Sequence, residues 1–397
     1  MRARPGVHKV GLMAAALGLL SVLLLSFVSV APFRLLAGKG VTLLQAVGIE
    51  YAVLFLSGWT AIGVLSLRDD RRAPVSFARG MLASAIAVGT LALGGFAATR
   101  ILADASSAAR VSLGIGSWLS IILAYMVILA SRREVGVRSA WGIVLTAVAP
   151  IGVVFLLVSG ALSDLGMLME YQNISARFWF EVRNTVVYSA AAVLLATVIG
   201  FGLGVLAFKR RGSERYVFGT VNVFQTIPGL AMIGLLFSPL AWLGKNVPAL
   251  GAIGVGGLGW APVVTSLTLY ALLAITRNTY AGLRSVPGAV VESGRGMGMS
   301  ERQLLWRVRV PLAASVLFSG ERTATVQTVG NSTLGAFVAA FTLGTTIFGG
   351  LSQHAMDLTM LGSVALVILA LVSDGVLRLL QRAVTPHSVG AGGGSAT

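Results

Sequence analysis

The chain has 397 residues, is 56% hydrophobic and only 11% charged, and has a mean hydropathy of +0.87, whereas a soluble domain carries about 25% charged residues, so an ordinary water-soluble enzyme is excluded. Thirty Lys and Arg against fourteen Asp and Glu give a net charge of +16, yet these cations fall in short clusters between long apolar runs, which is membrane patterning and not the basic face of a nucleic-acid reader. With no cysteine and three scattered histidines, His8, His354 and His387, the sequence offers no disulfide, no thiolate nucleophile and no typical metal site.

In chain order, ten runs of about 20 apolar residues predict an all-α polytopic membrane protein with spans at 10–31, 47–67, 78–98, 111–130, 140–160, 185–207, 217–238, 260–279, 312–336 and 358–380. With the N-terminus placed in the cytoplasm, 22 cations fall inside, among them Arg2, Arg4, Arg68, Arg71, Arg138 and Arg211, and seven fall outside: Arg34, Lys39, Arg100, Arg110, Arg177, Arg183 and Lys245. That asymmetry predicts two cytoplasmic termini. The first apolar run is too long for the core of a secretory signal and is expected to be an uncleaved span. Three segments are expected: a five-helix extension over 1–180 that carries no chemical motif, a core over 181–383, and a Gly-rich disordered tail over 384–397.

The second half holds the informative residues. Gly200 and Gly204 form a GxxxG inside the sixth span, a spacing that lets helices approach closely. GVGGLG at 254–259 satisfies the dinucleotide fingerprint by letter but lacks its strand context, and no GxxxxGK[ST] occurs, so any ATP hydrolysis belongs to another chain. Between Arg277 and Pro311 runs a polar loop. Pro287 and Gly288 end one segment, a short helix is expected over 290–297, Gly298 permits a reversal, Ser300 with Gln303 forms a capping box, and Pro311 begins the ninth span. A short surface helix with a smooth face and a Glu suits docking into a groove on another protein.

In the ninth span, Glu321 and Arg322 lie about 15 Å beyond Pro311, near mid-membrane. Neighbouring helical residues point about 100° apart, so each either pairs with another helix or borders a polar passage together with Thr323, Thr325, Gln327, Thr328, Asn331 and Thr333. Asp374 and Arg378, four apart, are expected to pair on the last span.

Glu292, Ser293, Gly294, then Gly298, then Val308 and Pro311 reproduce the spacing of the EAA loop of ABC importer permeases, with Ser293 and Gly294 in place of its two alanines. Four blocks, Phe224–Leu236, Arg277–Leu283, Glu292–Ser300 and Arg322–Ala340, make the chain from Asn184 to Arg382 similar to the permeases of glycine betaine, carnitine and choline importers. The resemblance implies a type I ABC importer permease core in a bacterial inner membrane. In it, Glu292, Ser293, Gly294, Arg295, Gly298, Met299 and Pro311 would couple to an ATP-binding subunit, and Gln225, Pro228, Glu321, Arg322, Thr325 and Asn331 would border the translocation pathway.

It implies further a second permease subunit, identical or not, and an external substrate-binding protein. The chain itself would be a transport subunit with no catalytic residue and no cofactor, ATP and magnesium being held by the partner. The implied solute is glycine betaine or a related quaternary ammonium compound. The same fold serving an amino acid, a sulfonate or a bile-type compound is the alternative. An ion-coupled secondary transporter with Glu321 as its proton-linked group is a third reading, which leaves the EAA spacing unexplained.

Overall fold

The computed structural model describes residues 8–67, 72–106, 108–137, 139–210 and 212–384. Arg2, Arg4, Arg68, Arg71, Arg138 and Arg211 of the cation count, and 385–397 of the expected tail, lie outside them. By contact the chain divides into two compact units, Met1–Asn173 with Ser352–Asp357, and Ile174–Leu351 with Leu358–Thr397.

The first unit contains α1 (Lys9–Leu24), β1 (Val28–Ala31), β2 (Lys39–Val41), α2 (Leu43–Val47), α3 (Ile49–Ser66), α4 (Ala73–Ala103), β3 (Arg110–Leu113), α5 (Ile115–Val135) and α6 (Ala140–Val158). Its helices have almost no polar face, as befits helices that meet lipid outside and protein inside. Trp59 is fully buried and donates its indole N–H to Ser120 at 3.2 Å, satisfying the one polar atom it buries. Gly18 makes this possible, because a Cβ there would stand 2.5 Å from the Trp59 ring.

One end of the unit is held by a buried ionic cluster. His8 Nδ1 accepts the Gly11 amide at 3.0 Å and so caps α1, while Nε2 lies 2.7 Å from Glu134. That carboxylate also accepts from Ser76 and from the fully buried Arg79. A buried guanidinium is tolerated only when paired in this way.

The three strands form an antiparallel sheet in the order β2-β1-β3. This corrects the expected first and fourth spans. Residues 25–31 leave the helix and 28–31 become β1, so α1 has 16 residues, about 24 Å at 1.5 Å each. Residues 110–113 form β3, and α5 is displaced to 115–135, which puts Arg132 and Arg133 in its last turn. Val28, Ser29 and Val30 pair with strands on both sides, and their backbone groups are thereby satisfied.

The second unit begins inside α7 (Gly166–Lys209), a 44-residue helix with a non-helical backbone at Ile174. It continues with α8 (Ser213–Thr226), α9 (Gly229–Asn246), α10 (Pro248–Ala252), α11 (Trp260–Arg284), α12 (Gly288–Gly296), α13 (Glu301–Gln303), α14 (Val310–Asn331), α15 (Leu343–Ser352) and α16 (Met356–Val384), the last of which starts in the first unit. Gly200 and Gly204 bear out the packing expectation: a Cβ on Gly204 would lie 2.6 Å from Thr279 Cβ, and one on Gly200 would lie 3.1 Å from Ile275 on α11.

Among the described residues, seven helices are long and apolar enough to cross a membrane, or nine if two bent pairs are each one span. Both bent pairs overlap expected spans, 217–238 and 312–336. The seventh span breaks between α8 and α9 with a bend of 103°, because Ile227 is driven to extended backbone by the proline that follows it. The ninth stops at Asn331, passes through a 3₁₀ stretch at Ser332–Val338, and turns 62° into α15. Residues 254–259 form a loop with left-handed Gly254 and Gly259, as their sequence context requires.

Candidate translocation cavity and coupling loop

The loop after α11 folds as helix, turn, helix. Pro287 stands at the N-cap of α12, Gly298 adopts φ +81°, and Ser300 and Gln303 form a reciprocal capping box at α13. A π-helical stretch at Leu304–Arg309 then leads directly into α14, with Pro311 at its start.

The inner face of α12 rests on a small core of Val286, Val291 and Leu304, with Met299 packed against it. Gly294 faces inward: a Cβ there would lie 2.6 Å from Leu304 Cδ2, which accounts for glycine at this position. The outer face presents Glu292, Ser293 and Arg295 to solvent, with Met297 72% exposed beside them. Arg295 also meets Glu301 through two hydrogen bonds, of 3.0 and 2.7 Å. Of the seven residues expected at this site, three therefore form an outward face. Gly294 and Met299 support it from beneath, and Gly298 and Pro311 set its turns.

A second site forms where α8 breaks. A cavity of 450 Å³ is lined by Gln225, Ile227, Pro228, Gly229, Leu230, Tyr270, Asn331 and Leu334. It brings together Gln225, Pro228 and Asn331, three of the six expected pathway residues. Gln225 donates to the Tyr270 carbonyl at 2.6 Å, and the Tyr270 hydroxyl donates to the Ile227 carbonyl at 2.5 Å, so the broken chain is tied to α11. The α9 amides of Gly229, Leu230 and Ala231 precede the first intrahelical bond, Met232 N–H to Pro228 C=O. They form the positive end of a helix dipole, and the C-terminal carbonyls of α8 form a negative end beside them. Tyr270 and Leu334 carried no local signal in the sequence, since each sits in an apolar run and reaches the cavity only through the fold.

Glu321, Arg322 and Thr325 do not line this cavity. Glu321 accepts from Thr197 of α7 at 2.8 Å, and Thr325 donates to the Glu321 carbonyl. Arg322 Nε donates to Asp374 Oδ1 at 2.8 Å, while Arg378 Nη2 lies 2.5 Å from Oδ2. One carboxylate thus serves two guanidinium groups, one oxygen each, and joins α14 to α16. The expected Asp374–Arg378 pair is present, and Arg322 joins it from across the bundle.

At the far end of α14 a strained turn follows the 3₁₀ stretch. Ala339 and Phe341 are non-glycine residues at φ 55° and 47°, each costing on the order of 1–3 kcal/mol. The turn is held by α7. The Asn184 amide donates to the Phe341 carbonyl at 3.2 Å, Thr185 Oγ1 accepts the Leu343 amide at 3.0 Å, and Glu181 Oε2 accepts from the Thr346 amide and hydroxyl at 3.2 and 2.5 Å. The positions 181, 184 and 185 share a helix face, but nothing local marked their partner.

Residues 196–387 match the family model described as "Binding-protein-dependent transport system inner membrane component", and residues 4–168 match "ABC transporter permease YehY, N-terminal domain". The chain is 38% identical over 199 residues to the glycine betaine/carnitine/choline transport system permease protein OpuCD of Bacillus subtilis, covering 50% of this chain and 80% of that protein. It is 36% identical over 200 residues to the osmoprotectant import permease protein OsmW of Salmonella typhimurium, covering 50% and 88%. Among solved structures, the inward-facing MetNI methionine ABC transporter is similar at 24% identity and a TM-score of 0.46, over 54% of this chain and 99% of that one. The chain belongs to the binding-protein-dependent transport-system permeases: it is a multi-pass inner-membrane subunit of an ABC importer, a transport component and not a catalytic one, whose partner is an ATP-binding subunit.

Proposed function

We propose that this permease imports a small zwitterion with a quaternary ammonium group, glycine betaine first, through the cavity at the break between α8 and α9. The observation that carries the reading is the pairing of opposite helix ends around one cavity. Discontinuous helices in transporters offer amide ends to anionic groups and carbonyl ends to cations. A betaine carries both charges on one small frame. Its carboxylate suits the first-turn amides of α9 with Asn331, and its ammonium suits the carbonyl end of α8 and the Tyr270 ring. At 450 Å³ the cavity lies within the range of about 300–1,000 Å³ usual for small-molecule sites. The substrates in the names of the relatives, glycine betaine, carnitine and choline, support the same class.

In this reading Glu292, Ser293 and Arg295 form the face that docks on the ATP-binding subunit, so α12 and the end of α16 lie in the cytoplasm. An external binding protein delivers the solute, and a second permease subunit completes the membrane part. Glu321, Arg322 and Thr325 hold α14 in place instead of touching solute. Helices α1–α6 form an N-terminal extension.

The test is uptake by vesicles holding the permease, its ATP-binding subunit and the loaded binding protein. Labelled glycine betaine is to be competed with choline, carnitine, amino acids and sulfonates. Asn331→Ala is expected to slow uptake by about tenfold, the loss of one hydrogen bond to a charged group, and Gln225→Ala to slow it by releasing the tie between the break and α11, while ATP hydrolysis persists in both. Uptake of an amino acid in preference to every quaternary ammonium compound would overturn the substrate.

A further inference from the structure

We propose that Glu181 is the positioning residue of a gate: it latches the strap 332–346 to α7 and so keeps Leu334 over the cavity. This rests on the reading of that cavity as the solute passage. Leu334 sits on the 3₁₀ stretch at the start of the strap and lies directly against Gly229, where a Cβ would collide with its Cδ1. Its side chain therefore forms one wall of the cavity at the first residue of α9. Whatever fixes the strap fixes this wall.

The strap does not hold its shape alone. Two of its residues, Ala339 and Phe341, are non-glycine and left-handed, a conformation that persists only where surrounding contacts impose it. Those contacts come from one face of α7. Glu181 is completely buried, and its carboxylate takes the Thr346 amide and hydroxyl on one oxygen and Arg177 Nε, at 2.8 Å, on the other. Thr185 takes the Leu343 amide. Leu343 and Thr346 lie in the first turn of α15, so α7 supplies partners for two of its first-turn amides, and the Glu181 carboxylate stands at the positive end of that helix. A second tether, the Gly259 amide to the Val338 carbonyl at 2.6 Å, ties the strap to the start of α11. One face of α7 and the ends of α11 and α14 thus converge on one strained segment. When those helices shift during the transport cycle, the buried carboxylate is the contact whose loss frees α15 and lets the left-handed turn relax. Leu334 then withdraws from Gly229. A bistable packed element of this kind turns a small helix movement into opening or closing.

The chain lacks cysteine, so Leu334→Cys gives a single reporter. The assembled complex of permease, ATP-binding subunit and binding protein is placed in vesicles without ATP and treated with an impermeant maleimide. Adding Glu181→Gln to Leu334→Cys is expected to raise the labelling rate about tenfold, the weight of one hydrogen bond to a charged group, and to lower the solute moved per ATP hydrolysed. Thr346→Val removes only the hydroxyl contact and is expected to move both readouts in the same direction. Thr346→Ser is expected to return both to the Leu334→Cys level. Should Glu181→Gln fail to assemble, Thr346→Val carries the test, because the Thr346 amide still reaches Glu181. Labelling unchanged in the assembled variants would overturn the gate. Labelling requires no solute, so a wrong solute assignment leaves this result intact. Faster labelling combined with wild-type transport in Asn331→Ala and Gln225→Ala would keep the gate and refute the passage.

Discussion

Removing Asp374 should cost more than removing either arginine that it serves. Asp374 retains 16% of its side-chain exposure, Arg322 26% and Arg378 58%. Breaking a fully buried ion pair by deleting one partner costs about 3–5 kcal/mol, chiefly because the survivor is left uncompensated. With this degree of exposure the penalty for Asp374→Ala, which strands Arg322 beside Arg378, falls to about 2–3 kcal/mol. Arg322→Ala leaves the carboxylate still paired with Arg378, so the loss is about 1 kcal/mol. Arg378→Ala removes a mostly exposed i,i+4 partner and costs about 0.5 kcal/mol or less. The expected order is therefore Asp374, then Arg322, then Arg378. At about 2–4 °C per kcal/mol for a unit of this size, Asp374→Ala should lower the apparent Tm of detergent-solubilised permease by about 6 °C, read by fluorescence-detected size exclusion. An Arg322→Ala loss equal to or larger than that of Asp374→Ala would refute the shared-carboxylate reasoning. It would return Arg322 to the pathway if transport, but not Tm, were the property lost.

Three other outcomes are expected. Gly298→Asp places a side chain where φ is +81° and nothing lies within 4 Å of the new Cβ, so the permease should fold but lose stimulation of ATP hydrolysis by the loaded binding protein; wild-type stimulation would remove the loop from coupling. Gly344→Ala would set a methyl group on the Thr333 carbonyl oxygen, and a cost of about 3 kcal/mol or more should appear as a collapse of folded yield on size exclusion. Val137→Cys and Gln172→Cys, both at exposed positions, should divide by sidedness in intact cells. An impermeant reagent added outside should label position 172 and spare 137, and the reverse pattern would invert the topology.

The helices were legible wherever apolar length alone decides the matter, as in α3, α4, α6 and α11. The loop between α11 and α14 was legible almost to the residue, because Pro287, Gly298, Ser300 with Gln303, and Pro311 each act on the backbone through local chemistry. What escaped was non-local. Val28–Ala31 is apolar and continuous with α1 by composition, and it becomes a strand because β2, just downstream, and β3, far along the chain, pair with it on either side. Pro228 was visible as a proline, but the 103° turn depends on the Tyr270 hydroxyl and Gln225 tying the break to α11. The two mid-span charges, Glu321 and Arg322, were correctly seen to point apart, yet their partners Thr197 and Asp374 lie 124 and 52 residues away. Glu181 carried no signal at all, since a glutamate just ahead of an apolar run is ordinary until the strap packs on it. Gly294, which stands where the EAA loop has an alanine, turns inward and lets Leu304 fit beneath α12.

The most direct measurement is the accumulation of labelled glycine betaine in vesicles that contain this permease, its ATP-binding subunit and the binding protein, with and without ATP and with a protonophore present. Accumulation should require both ATP and the binding protein, should survive the protonophore, and should fall in Asn331→Ala. Accumulation that persists without the ATP-binding subunit and collapses with the proton gradient would contradict an ATP-driven importer and would restore Glu321 as a proton-linked group.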